Sequence, residues 1–252
     1  MPRRPDPAAP PARAPGSATR SAWSPLALPL FRSLWLATLA SNLGTWLQNV
    51  GAAWLMTELT TSPVLVALVQ AATSLPMFLL ALPAGALADV YDRRRLLLLA
   101  QGWMLVVAAL LAALTLAGTM TPWLLLAATF ALGLGAAVNQ PAWQAIIPEL
   151  VPREELAPAV ALGSVGFNLA RAAGPALGGA IVATAGPGAN FLLNALSFLG
   201  VIVVLFRWRR PVEAPVLPAE RVVGAMRTGL RYVRHSPAVL AVVVRGSVFV
   251  LC

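Results

Sequence analysis

Arg171 is the most costly residue to place in this sequence. It stands near the middle of an apolar stretch at about 158–184, with Asn168 three and Ser164 seven positions before it. That spacing puts all three on one helical face. In hydrocarbon, a charged side chain at mid-stretch costs at least about 2.5–3.5 kcal/mol, so it normally faces a bundle interior or a watery cavity. Such a guanidinium can attract an anionic group of a small molecule or pair with a carboxylate; otherwise it snorkels or fixes packing. A second stripe, Thr38, Asn42, Thr45 and Asn49, is spaced by four, three and four in an earlier apolar stretch. Gln70, Thr73 and Met77 stand in the next one, and Asn139, Gln140 and Gln144 in the fourth. These amides and hydroxyls either line a polar pathway or bond helix to helix, since polar groups in lipid need partners or water. Their chemistry is recognition. Bond-making has no candidates: the one histidine is His235 and the one cysteine is Cys252, so no Ser-His-Asp triad, disulfide framework or metal cluster can be assembled. The sequence therefore predicts no enzyme, no cofactor and no metal. Its Gly-x-x-Gly patterns lie inside apolar stretches and give nucleotide binding no support.

The elements that must carry these residues are six apolar stretches, near 34–57, 64–88, 96–117, 122–147, 158–184 and 189–206. About 20 apolar residues at 1.5 Å rise match a hydrocarbon core of about 30 Å, so each stretch is read as a membrane-crossing helix. Composition agrees, with 59% hydrophobic and 11% charged residues. The net charge of +9 would suggest nucleic acid in a soluble protein. Here the basic residues flank the stretches, so the lipid bilayer is the partner and nucleic acid is not. Arg93, Arg94 and Arg95 fill the second gap, Arg153 the fourth, and Arg207, Arg209 and Arg210 follow the sixth stretch. The first, third and fifth gaps hold no Arg. By the positive-inside rule the N-terminus is cytoplasmic in a multi-pass cell-membrane protein. All 18 basic residues are Arg, which with the alanine load suggests a GC-rich bacterial gene.

Residues 1–25, rich in Pro and Ala, are read as a disordered cytoplasmic tail, and 26–210 as the six-helix bundle. Within a linker at 211–237, Val222, Val223, Met226, Leu230 and Val233 alternate at helical spacing with Arg221, Arg227, Arg231 and Arg234. This predicts an amphipathic helix on the cytoplasmic headgroups, or else a solvated charged helix. Residues 238–252 begin a seventh apolar run too short to span, which reads as an incomplete helix 7 of a fragment or a truncated product.

The second gap reads Gly85-Ala86-Leu87-Ala88-Asp89-Val90-Tyr91-Asp92-Arg93-Arg94-Arg95-Leu96-Leu97. It resembles the signature loop of the major facilitator superfamily, G-x-L-A-D-R-x-G-R-K-x-x-L, with Arg94 in place of Lys, Val90 in place of Arg and Asp92 in place of Gly. Gly85 would let another helix approach closely. The resemblance implies that Asp89 latches two halves of a transporter shut on the cytoplasmic side, with Arg93 in its charge network. Three further segments are similar to one bacterial branch, the enterobactin-exporter-like proteins and transmembrane secretion effectors: Ser41–Trp46, Pro148–Leu156 and Gly229–Arg234. Gly174-Pro175-Ala176-Leu177-Gly178-Gly179 resembles the helix 5 signature of drug–proton antiporters, G-x(3)-G-P-x(2)-G-G, with Ala170 for the first Gly. Pro175 would bend the helix and the glycines permit tight contact, in gating or in simple packing.

The resemblance implies an all-α membrane protein supplying one half of a twelve-helix fold, its C-terminal six-helix half absent from this chain. Helices 1, 2, 4 and 5 would surround the cavity, with 3 and 6 outward. The activity expected is secondary active efflux of drug-like or amphipathic small molecules by alternating access, coupled to protons. Export of a siderophore or other anionic metabolite is the alternative, and an inactive half-transporter is the alternative of another class. No Asp or Glu lies at mid-stretch; Glu58, at the extracytoplasmic end of the first stretch, is the candidate within these six for a coupling carboxylate.

Overall fold

The structure, a computed structural model, describes residues 21–208. Most of the tail, the basic linker helix and the start of helix 7 lie outside the described residues. Six α-helices follow one another: α1 (Pro29–Leu59), α2 (Pro63–Val90), α3 (Arg93–Leu116), α4 (Pro122–Leu150), α5 (Leu156–Ala185) and α6 (Pro187–Arg207). Proline occupies the first turn of α1, α2, α4 and α6, where its missing amide hydrogen is no loss. Asp92 caps α3 by accepting the Arg95 backbone N–H at 2.8 Å. That gives a local reason for Asp92 where the superfamily loop has Gly. Gly186, at φ +76°, makes the sharp turn from α5 into α6. A 3-10 turn at Ser24–Ala27 precedes α1, so ordered structure reaches two residues into the segment read as tail. Its Pro25 is buried, and its Ser24 hydroxyl donates to Glu155 at the start of α5.

Five helices, α2 to α6, are long and apolar enough to cross a membrane. The first stretch was expected to be a sixth, yet α1 falls outside this set despite its 31 residues. The polar run from Thr38 to Asn49 dilutes its hydropathy. Large apolar side chains cover the outside of the bundle, among them Phe78, Leu99, Val106 and Phe206, more than half exposed. A surface so apolar suits lipid rather than water.

α1 packs against α5 and α6, α4 packs against α2 and α3, and α3 packs against α6. Exchanging α1, α2, α3 for α4, α5, α6 maps this pattern onto itself. Each unit has three helices, so if each helix crosses the bilayer the second unit runs inverted relative to the first. The acidic and basic side chains of the described residues gather at one end of the bundle, except Glu58 at the other end and Arg171 midway. At the charged end Arg93 Nη1 donates to Glu149 Oε1 at 2.8 Å and to the Ala145 carbonyl at 3.0 Å. Arg94 Nε donates to the Leu205 carbonyl at 2.7 Å, and its Nη2 to that of Phe206 at 2.9 Å. Both arginines thus tie the start of α3 to the ends of α4 and α6.

Small residues set how closely α5 approaches α1. A Cβ built on Gly174 would lie 2.3 Å from Trp46 Cβ, and one on Gly178 would lie 3.1 Å from Val50 Cβ and 3.4 Å from Leu47 Cα. Ala170, on the same face, is fully buried. These glycines act in helix contact. Pro175 and Gly179 stand off this face, and a Cβ on Gly179 would meet nothing within 4 Å. The same holds at Gly85, so the close helix approach expected there is not made by any described residue.

Candidate functional site

Nearer the charged end, α1, α4 and α5 line a partly open cavity of about 520 Å³. α1 contributes Trp35, Thr38, Ser41 and Asn42; α4 contributes Asn139, Gln140, Trp143 and Gln144; α5 contributes Ser164, Phe167 and Asn168; α3 adds Gln101 and α6 adds Val201. The wall therefore carries amides, hydroxyls and aromatic rings, and no described lining residue bears a formal charge. These groups can hydrogen-bond and stack. Among the described residues no group of three or more His, Cys, Asp or Glu comes together, and the lining pairs no nucleophile with a base.

Several lining side chains are held in place. Trp35 Nε1 donates to the Leu162 carbonyl at 2.9 Å, and its indole lies over Gly166, 3.4 Å from where a Cβ would be. Asn168 Nδ2 donates to the Ser164 carbonyl at 2.9 Å, and the Ser164 hydroxyl to that of Val160 at 3.2 Å. Gln101 Nε2 donates to Asn139 Oδ1 at 3.1 Å. Below the cavity, Phe31, Leu34, Leu150 and Ala159 line a small apolar void that shares Trp35, Trp143, Ile147 and Gly163 with it.

Of the residues singled out in the sequence, the structure brings Thr38, Asn42, Asn139, Gln140, Gln144, Ser164 and Asn168 together on this one cavity. Thr45, Asn49, Gln70 and Arg171 lie outside its lining. Thr45 and Asn49 continue the α1 stripe beyond it, and the Thr45 hydroxyl donates back to the Ser41 carbonyl at 3.0 Å. Gln70 is exposed on α2, in the half of that helix away from the charged end. Arg171 is exposed about one turn past Asn168, on the helical face that Ser164 and Asn168 share. Asp89 is exposed at the end of α2, while Arg93 is bonded to Glu149. α2 gives the cavity no residue, and the expectation that α3 and α6 stay outside it is corrected by Gln101 of α3 and Val201 of α6.

Sequence reasoning missed Trp35, Gln101, Trp143 and Phe167. A glutamine inside an apolar stretch was a usable signal for Gln101. Aromatic rings gave none, because the same residue types face lipid elsewhere. It also missed a buried polar seam on the far side of α1. Asn190 Nδ2 donates to the carbonyls of Leu47 at 2.9 Å and Gly178 at 3.2 Å, and Asn194 Nδ2 donates to Gln48 Oε1 at 3.3 Å. Asn194, midway along α6, serves this α1–α6 seam.

Comparison with known proteins identifies the class. The profile of the transmembrane secretion effectors matches residues 20–252. The chain belongs to this family of major facilitator superfamily transporters. It is 33% identical over 166 residues to the staphyloferrin A transporter of Staphylococcus aureus, covering 65% of this chain and 42% of that one. It is 30% identical over 230 residues to the enterobactin exporter of Shigella boydii, covering 88% and 53%. An uncharacterized major facilitator transporter of Bacillus subtilis is 26% identical over 223 residues, covering 84% and 52%. The chain thus spans about half the length of the curated relatives it matches. No solved structure matches it significantly.

Proposed function

We propose that this chain forms the first six-helix half of a secondary transporter that exports a siderophore or a similar oxygen-rich acidic metabolite from a bacterial cell. The single observation that carries the reading is the cavity between α1, α4 and α5, whose amides, hydroxyls and rings suit a polar aromatic or acidic small molecule. Drug-like efflux was the first expectation from the sequence. The names of two relatives, an exporter of enterobactin and a transporter of staphyloferrin A, favour the siderophore alternative. In this reading α1 is the sixth span: at 31 residues it is long enough, and Ser41, Gln48, Thr38 and Asn42 turn toward α6 or the cavity rather than lipid. The arginine-bearing end is cytoplasmic, and the cavity opens alternately to either side as this half rocks against a second one.

Arg171 lies just past the cavity on the face of Asn168, placed to meet an anionic group of a substrate seated below it. Asp89 acts as a latch toward the second half. Proton coupling uses Glu58, which accepts from Trp54 Nε1 at 2.7 Å, or a carboxylate beyond the described residues. The test is export of iron-free enterobactin by the full-length protein in cells. Arg171→Ala should abolish export while membrane insertion is retained, and undiminished export would reject the site. Profiling cationic drugs alongside would decide the substrate class: export of drugs without siderophore would return the reading to drug efflux.

A further inference from the structure

Gln101 is a buried polar residue that packing does not explain. It is 3% exposed in α3, and every other buried position of that helix is apolar. A carboxamide removed from water needs partners. Its Nε2 has one in Asn139 Oδ1, while its Oε1 has none among the described residues. A methionine of similar length would fill the same space with no unsatisfied oxygen. The two side chains meet on the cavity wall, one from α3 and one from α4. With its oxygen engaged by Gln101, Asn139 is left with its Nδ2 donors, which make no hydrogen bond to any described residue.

We infer that Gln101 is a positioning residue that fixes the Asn139 amide so that its N–H groups serve the cavity. This wall then selects substrates presenting an acceptor oxygen there, a carbonyl, carboxylate or phenolate, over those presenting a donor. A neutral donor recognises such an oxygen without burying a second charge, and a site built to hydrogen-bond discriminates against an analogue lacking the matching group. The inference rests on the cavity being the substrate site proposed above.

The experiment is calorimetric titration of the purified full chain with iron-free enterobactin. Asn139→Leu should weaken binding about tenfold and Gln101→Met about three- to tenfold, the range for one lost hydrogen bond. Because Gln101 acts through Asn139, the double variant should bind no more weakly than Asn139→Leu alone. Thermal unfolding of Gln101→Met should stay at or above wild type, since removing an unsatisfied buried oxygen offsets the hydrogen bond lost at Asn139 Oδ1, which stays on the cavity wall. A merely structural Gln101 would instead lower it. Unchanged affinity in Gln101→Met, additive losses in the double variant, or a destabilised Gln101→Met would each overturn the inference. A wild-type chain that binds no enterobactin sinks the siderophore reading itself, and the inference with it.

Discussion

Replacing Gly174 by alanine should pry α1 from α5, and the structure gives the size of the effect. The added Cβ would sit 2.3 Å from Trp46 Cβ, where ordinary contact begins near 3.4 Å, so the helices must part by about 1.1 Å. Trp46 cannot relieve this by a rotamer change, because the offending atom is fixed to the α1 backbone. Overpacking of this kind costs about 1–3 kcal/mol. Alanine also restricts the unfolded chain and favours helix, a stabilising effect of about 0.4–1 kcal/mol. Gly179→Ala carries the same gain with no atom within 4 Å to oppose it. Gly174 also precedes Pro175, whose Cδ crowds a Cβ on the residue before it in a helix. The difference between the two variants therefore reports the α1–α5 contact together with that local clash, and Gly174→Ala should be the less stable by at least about 1–3 kcal/mol. Reversible denaturant unfolding of the purified protein in detergent measures it. Two variants of equal stability would refute the reasoning, because the close α1–α5 approach could not then be present. Where the contact exists, Gly174→Ala should also weaken substrate binding, since α1 and α5 are two walls of the cavity.

Three further outcomes follow from single contacts. Asp89 is exposed and bonded to no described residue, so Asp89→Asn should change unfolding stability by less than about 0.5 kcal/mol. The same variant should sharply lower export by the full-length protein, and export at the wild-type rate would remove the latch role. The Arg93–Glu149 ion pair has side chains 34% and 18% exposed, so a double-mutant cycle on stability should give a coupling of about 1 kcal/mol or less. A coupling several times larger would mean the pair is more deeply desolvated than its exposure indicates. Asn190→Ala removes two hydrogen bonds that join α6 to α1 and α5, and should lower stability by about 1–3 kcal/mol in the same unfolding assay. Stability equal to wild type would show that this seam contributes nothing to holding the three helices.

The helices were legible because hydrocarbon length, proline at first turns and arginine in alternate gaps are all local signals. Each of the six forms within a few residues of its expected place. The site was legible where a polar residue interrupts an apolar run on a consistent face, as with Thr38, Asn42, Ser164 and Asn168. It was not legible where that face leaves the cavity. Thr45 and Asn49 follow Asn42 at helical spacing, yet their stretch of α1 lies beyond the cavity lining. Periodicity gives the face of a helix but not the depth at which neighbours separate. Nor does it rank partners. The superfamily resemblance put Arg93 in the network of Asp89, whereas the folded chain gives it Glu149, more than fifty residues away and brought near only by packing.

Depth is set by the size of the residues between helices. Counting along α5 from the charged end, Gly166 meets Trp35 with the tip of the indole, Gly174 meets Trp46 at its Cβ, and Gly178 meets the Leu47 backbone at its Cα. One small-residue face thus keeps α1 a full indole away near the charged end and draws it to backbone contact beyond mid-helix. α4 makes close contacts near its own middle, where a Cβ on Gly133 would lie 2.7 Å from Pro76 and one on Gly135 would lie 2.5 Å from Met104. Past these points, toward the arginines, lie Asn139, Gln140, Trp143 and Gln144, the residues that line the cavity. The hollow therefore does not need a special loop or domain boundary. It forms where bulky Trp35 replaces close glycine contact. The amides of Asn42, Gln140, Gln144 and Asn168 face it because no neighbouring helix packs close enough there to bury them, while Asn139 is met from α3 by Gln101.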